Sequence, residues 1–380
     1  MGQDIPQSPL AVYLHIPFCL TRCGYCSFFS LPYRREAVAD YHGILLQEIE
    51  LYRRYNPDLV NADTIYFGGG SPSIMDASQI SEICSCFTLS PQPELTLEIN
   101  PIQITGAFLD ELEKTPVNRL SIGLQSTRDE DLIWLQRRHR RAQIKEKIGL
   151  LQDKGWENYS LDLIYGLPGQ SLSDLARVLD EYTELNPKHI STYLLNLDES
   201  CEWSHSDSAR LAEYNAISED IQADAYELIR EKLSNSGFIQ YEISNFAFSG
   251  YESRHNLHYW KSNDYLGLGA GAWGYIDGIR YENPADLGLY EQNLRAGKLF
   301  GVQDTGNDRV NDYIMMGMRL SGGIRRDQAL SKLGVDLWDL KNKQIKRLSS
   351  LGMLITDDDS IRLSPNAYFI SNAVIRELTE

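Results

Sequence analysis

Short runs of β-branched and aromatic residues recur along the first half of the chain, at 11–16, 64–67, 95–99, 119–124, 159–164 and 190–195. Runs of this length, bounded by Gly, Pro, Asn or Ser, predict strands. Between them apolar positions return every three to four residues, over 38–55, 78–87, 107–112, 129–154 and 172–185, which predicts helices. In the first of these the stripe runs through Tyr41, Leu45, Glu48, Ile49 and Tyr52. Strands alternating with helices call for right-handed crossovers and a parallel sheet. Six such units in about 200 residues fall short of an eight-fold closure, so the expected fold is α/β, a partial (β/α)6 TIM-like barrel with an open side. Polar and Gly-rich segments follow the strands, where such barrels gather their chemistry.

Beyond residue 205 the pattern turns irregular: an acidic helix at 220–233, the segment YEISNFA, then a Tyr- and Gly-rich stretch over 259–281 that is expected to close the barrel. The end of the chain has a different order. A helix at 310–320 precedes Gly322-Gly323, two helices, a β-wing over 354–363 with Asp357, Asp358 and Asp359 at its tip, and a helix begun by Ser364-Pro365. That order predicts a small winged-helix-like domain. The expected division is 1–205 for the partial barrel, 206–304 for the extension and 305–380 for the C-terminal domain.

With 42% hydrophobic and 23% charged residues, the chain has enough apolar side chain for a substantial core. Lys and Arg total 36 against 53 Asp and Glu, a net charge of −17 that repels phosphate backbones and anionic membrane surfaces. From residue 301 onward the count is 11 against 11, and three aspartates stand at the wing tip where phosphates would lie, so no nucleic acid is expected as a partner. No run of about 18 apolar residues exists, and MGQDIPQSPL lacks the basic-then-apolar order of a secretory signal. A cytoplasmic protein without stable membrane insertion is expected.

Three of the six cysteines, Cys19, Cys23 and Cys26, crowd into one C-x3-C-x2-C loop directly after the first strand. A structural zinc takes four protein ligands and a closed iron-sulfur cluster four cysteines, so three thiolates leave one metal position open. In a [4Fe-4S] cluster that open iron can be chelated by the amino and carboxylate groups of S-adenosylmethionine (SAM); an electron passed into the sulfonium then breaks a C–S bond and releases a 5'-deoxyadenosyl radical. A zinc site borrowing His15 or Cys201 is the other reading, although zinc ligands are usually spaced as separated pairs. SAM would need polar groups around the mouth. Gly68-Gly69-Gly70-Ser71-Pro72, Glu98-Ile-Asn100-Pro101, Gly123-Leu-Gln125-Ser126 and Asp162 before Gly166 all lie at strand ends, where ordinary caps and turns would also place such residues. Cys84 and Cys86 sit two apart on a predicted helix and face different ways, which favours a structural role. Gly269, Gly271 and Gly274 satisfy G-x-G-x-x-G, but no β-branched run precedes them and no long helix pattern follows, which sets a dinucleotide site aside.

The segments YLHIPFCLTRCGYC, YFGGGSPS, LEINP, RLSIGLQS and LDLIYGLPGQ resemble the consecutive motifs of radical SAM proteins related to oxygen-independent coproporphyrinogen III oxidase, along nearly the whole chain. The resemblance implies that Cys19, Cys23 and Cys26 hold the cluster and that Tyr13, Gly69 and Glu98 contact the cluster-bound SAM. It also implies that Tyr25, Gly70, Ser71, Gln125, Arg137 and Asp162 match positions that in the oxidase contact a second SAM. Arg137 lies in Leu135-Gln-Arg137-Arg-His139, a departure from Leu-Gly-Arg-x-His. Two further departures point away from the oxidase. Cys26 is followed by Ser27-Phe28 where the oxidase continues C-x-C, and Cys19 lies too near the start for the oxidase's N-terminal extension.

Both features are similar to the sister branch, the HemW-type haem chaperones, and His255-Asn256-Leu257-His258-Tyr259-Trp260 resembles the HNxxYW motif associated with haem there. A histidine can ligate haem iron, and Tyr and Trp faces can stack on a porphyrin. The resemblance thus implies haem contacts at His255, Asn256, Tyr259 and Trp260, with His255 accessible at the surface in a part of the fold separate from the cysteine loop. The competing reading makes them packing residues with His255 simply hydrogen-bonded. Trp273 stands where relatives often carry His. The implied function is a chaperone that binds haem, a [4Fe-4S] cluster and SAM and hands haem to acceptor haem proteins. The alternative is a radical SAM enzyme acting on a tetrapyrrole, and a homodimer is left open.

Overall fold

The computed structural model describes residues 10–304, 306 and 308–380. The first nine residues, on which the reading of the N-terminus rests, lie outside the described residues, as do Thr305 and Asn307. β1 (Leu10–Ile16) is buried on both faces, as a strand inside a parallel sheet must be. Its Val12, Leu14 and Ile16 join one apolar core with the stripe of helix α1 (Arg35–Tyr55), while Tyr13 and His15 point the other way. A two-residue pair, β2 (Phe18–Cys19) and β3 (Leu31–Pro32), ties the two ends of the cysteine loop together. Then follow β4 (Asn61–Gly69), α2 (Ala77–Ser85), β5 (Thr88–Ile99), α3 (Gly106–Leu112) and β6 (Arg119–Gln125).

The helix expected over 129–154 is two helices, α4 (Asp129–Trp134) and α5 (Arg141–Asp153). The chain breaks between them because Gln136 takes a left-handed conformation, φ 54°, and the Arg137 amide turns back onto the Leu132 carbonyl at 2.8 Å. That break frees Arg137 and His139 from a helix face. β7 (Tyr159–Tyr165), α6 (Leu172–Glu184) and β8 (His189–Leu194) complete the six units.

The extension adds strands at both ends of the same sheet. After α7 (Glu202–Ser206), α8 (Ser208–Asn215) and α9 (Glu219–Asn235) come β9 (Ile239–Gln240) and β10 (Asn245–Ala247); β10 runs antiparallel beside β8, and β9 pairs antiparallel with β10 beyond it. Helix α10 (Arg254–Trp260) leads into β11 (Tyr265–Leu268), which lies parallel to β1 on its free side and makes a seventh parallel strand. β12 (Trp273–Ile276), β13 (Ile279–Glu282), α11 (Leu287–Arg295) and β14 (Val302–Asp304) follow, and the three strands continue antiparallel. The sheet is twelve-stranded, in the order β14-β13-β12-β11-β1-β4-β5-β6-β7-β8-β10-β9. A strand therefore does precede Gly269, against the sequence expectation; it is followed by another strand and not by a helix, so the phosphate-binding helix N-terminus of a dinucleotide fold is absent from this stretch.

The C-terminal segment runs α12 (Arg309–Gly317), β15 (Ile324–Arg325), α13 (Arg326–Leu333), α14 (Leu337–Leu340), α15 (Asn342–Ser350), β16 (Leu354–Thr356) and β17 (Ser360–Leu363). The wing forms where its alternation predicts it, with Asp357 accepting the amides of Asp359 at 2.9 Å and Ser360 at 2.7 Å, which spends that carboxylate on the turn. Two expectations are corrected here. Three helices, not two, lie between Gly323 and the wing, and Ser364-Pro365 opens a single 3-10 turn (Pro365–Ala367), the last helix α16 (Ser371–Thr379) starting at Ser371. No described helix is long and apolar enough to cross a membrane.

Candidate functional site

The cysteine loop is pinned by main-chain bonds: Leu31 to the Pro17 carbonyl at 2.5 Å, Tyr33 to Cys19 at 3.0 Å, and a turn from Cys26 to Cys23 at 3.0 Å. A strap from after β8 holds it from the side. Trp203 donates its amide to the Gly24 carbonyl at 3.0 Å, the Cys201 thiol points to the Tyr25 carbonyl at 3.0 Å, and the Trp203 ring packs against Tyr25 and Trp134. Gly24 is required there, since a Cβ would stand 1.9 Å from Trp203 Nε1. Neither extra zinc ligand is free to join: His15 spends its ring nitrogens on Tyr13 Oη at 3.0 Å and the Phe29 carbonyl at 2.8 Å, and Cys201 is committed to the strap.

Cys19, Cys23 and Cys26 line one cavity of about 380 Å³ together with Gly69, Gly70, Ser71, Glu98, Asn100, Gln125, Arg137 and Asp162. Among the described residues no three His, Cys, Asp or Glu side chains converge on a single ion. A [4Fe-4S] cube with one open iron asks for something else, three thiolates on three different irons spread around a space, and three partly exposed thiols on one cavity wall suit it. Burial pushes the Cys19 thiol up and Cys26 up to about 11 in the metal-free protein, so metal binding must displace protons from both.

The other walls present hydrogen-bonding groups. Glu98 accepts from Tyr66 Oη at 2.9 Å and from the Gly69 amide at 3.1 Å, and burial raises its carboxyl to about 7. Arg137 donates to Asn100 Oδ1 at 2.5 Å and to the Gly123 carbonyl at 2.7 Å, with its other terminal nitrogen 3.6 Å from Cys23 Sγ; Asn100 in turn donates to Ser71 Oγ at 3.2 Å. Asp162 accepts from Ser121 Oγ at 3.4 Å, and burial raises it to about 6. The glycines earn their place by close approach: Gly69 has φ 107°, and a Cβ on Gly70 would meet the Phe18 carbonyl oxygen at 2.7 Å.

Below this cavity, on the side of the barrel where the strands begin, lies α10. Glu94 on β5 accepts the amides of Arg254 and His255, each at 3.0 Å, and Asp63 on β4 pairs with Arg254 and, at 3.4 Å, with His258. A carboxylate at the first turn satisfies donors that the helix itself leaves open. His255 is 1% exposed, with Nδ1 2.8 Å from Thr64 Oγ1 and Nε2 2.6 Å from Tyr259 Oη.

The chain matches the family model of the radical SAM superfamily over residues 13–182 and that of the HemN C-terminal domain over 304–370. It is 31% identical over 376 residues to "Heme chaperone HemW" of Bacillus subtilis (strain 168), covering 96% of this chain and 97% of that one. The chain belongs to the HemW family of radical SAM proteins. A second HemW, from Lactococcus lactis subsp. lactis (strain IL1403), is 30% identical over 376 residues, with 98% and 97% covered. The solved coproporphyrinogen III oxidase (HemN) from Escherichia coli superposes with a TM-score of 0.78 over 99% of this chain and 91% of that one, at 22% identity, which shows a shared fold.

In this HemW-family chain the cavity gathers Tyr25, Gly69, Gly70, Ser71, Glu98, Gln125, Arg137 and Asp162 around the three cysteines. Tyr13 is not on its wall. It stands one layer lower, stacked on Tyr66 with ring centroids 6.1 Å apart. The expectation of a surface-accessible His255 apart from the cysteine side is corrected: the ring is buried against Tyr66, whose hydroxyl reaches Glu98, while Asn256, Tyr259 and Trp260 are half-buried. Sequence reading placed Asn100 among the strand-end groups but passed over Tyr66, Ser121 and Tyr193, all on the cavity wall. Period-two alternation back from Gly68 to Tyr66, and from Gly123 to Ser121, was the available signal. Trp203 had none, because its role depends on a contact some 180 residues away in the chain.

Proposed function

We propose that this chain is a cytoplasmic haem chaperone that carries a [4Fe-4S] cluster on Cys19, Cys23 and Cys26, binds SAM in the adjoining cavity, and delivers haem to acceptor haem proteins. The haem reading is carried by the near full-length identity to haem chaperones. The cluster and SAM reading is supported by the three thiols on one cavity wall and by membership of the radical SAM superfamily. A bound cluster would supply the electron that breaks the sulfonium C–S bond. The protein's own groups would do the holding. Glu98, with each oxygen already oriented by one donor, offers its remaining lone pairs to an ammonium, and Asp162 and Gln125 offer acceptors to hydroxyls and amines. Arg137 ties the walls formed by Asn100 and Gly123 to the cysteine loop. Haem contacts at α10 fall first to the half-buried Asn256, Tyr259 and Trp260, since His255 would have to leave its buried place and give up at least one ring hydrogen bond to reach iron.

The fold shared with HemN favours one second reading, a radical SAM enzyme acting on a tetrapyrrole. Both readings meet in one experiment. Anaerobically reconstituted protein is titrated with haemin by ultraviolet-visible spectroscopy and mixed with a haem-free acceptor, beside an assay of coproporphyrinogen III turnover with SAM. Tight, transferable haem without turnover is expected; decarboxylation with only weak haem binding would give the enzyme reading the field.

A further inference from the structure

We propose that His255 is a positioning residue for the SAM site, acting from beneath the cavity by setting Tyr66 and, through Tyr66, the carboxylate of Glu98. The inference rests on the reading of Glu98 as a SAM contact.

The residue is held from three directions. The main-chain amide of His255 donates to Glu94 Oε1 at 3.0 Å, the ring Nδ1 meets Thr64 Oγ1 at 2.8 Å and Nε2 meets Tyr259 Oη at 2.6 Å. A neutral imidazole has one donor and one acceptor, and both are used. Burial, and after it the charges of His258 and Arg119, keep the ring neutral. The ring so fixed lies 5.0 Å from the Tyr66 centroid at an interplanar angle of 28°, with Tyr13 closing the other side at 6.1 Å from Tyr66 and 6.4 Å from His255. Three rings thus fill one layer of the barrel interior. Tyr66 stands on β4 and its hydroxyl crosses to Glu98 Oε1 on β5 at 2.9 Å, while Glu98 Oε2 takes the Gly69 amide at 3.1 Å. The phenol has two rotatable bonds, and apart from the hydrogen bond to Glu98 it is the flanking rings of Tyr13 and His255 that hold it in place. Remove the imidazole and the space below Tyr66 lets the ring drop, taking with it one of the two donors that orient the carboxylate.

The test uses the full-length, cluster-loaded protein and reads the SAM dissociation constant by calorimetry, with iron content and thermal midpoint recorded for each variant. Tyr66→Phe is expected to weaken SAM about tenfold through loss of a hydrogen bond to a carboxylate. His255→Ala and His255→Gln, which both remove the ring, are expected to weaken it about fivefold with iron retained, and His255→Phe, which keeps a ring under Tyr66, to stay within about twofold of wild type. In the Tyr66→Phe background a change at His255 adds nothing further. Should His255→Ala fail to fold, His255→Gln, which can still bond Tyr259 or Thr64, carries the comparison. Wild-type SAM affinity in the folded Ala or Gln variant, or additive effects with Tyr66→Phe, would overturn the proposal. So would loss of the haemin absorbance change in His255→Ala or His255→Gln with SAM affinity intact, because that is the behaviour of an iron ligand with no part in the SAM site. Glu98→Gln separates the two layers: if it leaves SAM affinity unchanged, the SAM reading of Glu98 falls and this inference with it; if it weakens SAM while the His255 and Tyr66 variants do not, the inference alone falls.

Discussion

At the rim of the barrel, where the parallel strands end, Gly69 and Gly70 let main chain approach main chain, and the side chains of Glu98, Asp162 and Arg137 face a cavity. At the floor, where the strands begin, Asp63, Thr64 and Glu94 are as polar, yet each is spent on α10. The rim keeps unused hydrogen-bonding capacity in a half-buried cavity, which is what a binding site requires and what costs folding energy. The floor uses its capacity up, so its polar groups contribute position and little else. One layer of rings, Tyr13, Tyr66 and His255, separates the two regions and touches both.

The comparison breaks most completely at the cysteine loop. Replacing any one of Cys19, Cys23 or Cys26 by Ala should take the reconstituted protein from about four irons to essentially none, because the cluster would hang on only three thiolates, each holding a different iron. The same change at Cys84 or Cys86 should leave iron in place, since neither lines the cavity. Gly24→Ala should come close to the cysteine variants, with a Cβ 1.9 Å from Trp203 Nε1 forcing strap and loop apart. Iron analysis after anaerobic reconstitution checks both; stoichiometric zinc without iron would count against the cluster. Full iron in Gly24→Ala would mean the strap is not what shapes the loop.

How much of this was legible in the sequence differs between rim and floor for the same physical reason. The rim sits at strand ends, so its groups lie in short contiguous motifs, and the strands at 11–16 and 159–164 were found within a residue or so of β1 and β7. Continuous buried runs and local turns carry that information. The floor is assembled from β4, β5 and α10, with His255 meeting Thr64 across 191 positions, and no local pattern states such a pairing. A histidine in an aromatic motif reads as a ligand from sequence, and the hydrogen bonds on its two nitrogens become visible only in the fold. The break at Gln136 was hidden for another reason: neither Gly nor Pro marks it, and the left-handed residue that ends α4 is a glutamine. The seventh parallel strand, β11, was missed because Tyr265–Leu268 is short and carries a glycine.

A smaller effect is expected at the floor. Glu94→Ala removes the acceptor for the Arg254 and His255 amides and should lower stability by about 2 kcal/mol, the cost of unpairing donors at a buried helix start. Chemical denaturation of the apo-protein measures it. Iron content after reconstitution should be unchanged, since no floor group touches the cysteine loop; a loss of iron in this variant would erase the separation between the two regions.

The finest distinction lies in how the rim carboxyl titrates. Burial raises Glu98 to about 7, so between the ordinary value of 4.5 and about 7 the folded protein keeps a proton that the unfolded chain has released. Its contribution to stability is therefore fully present below pH 4.5 and is lost as pH rises through about 7. SAM binding runs the other way. An ammonium is better held by the ionised carboxylate, so SAM affinity should climb between pH 6 and 8 by somewhat less than tenfold, about 1.4 kcal/mol at most. In Glu98→Gln, affinity should be weak and flat with pH, and the apo-protein's denaturation midpoint should fall less steeply from pH 5 to 7 than in wild type. Calorimetry across that range decides it. A wild-type SAM affinity that is level from pH 6 to 8 would show that the buried carboxyl is not the group that holds the ammonium, and the rim would then resemble the floor, its polar groups already spent.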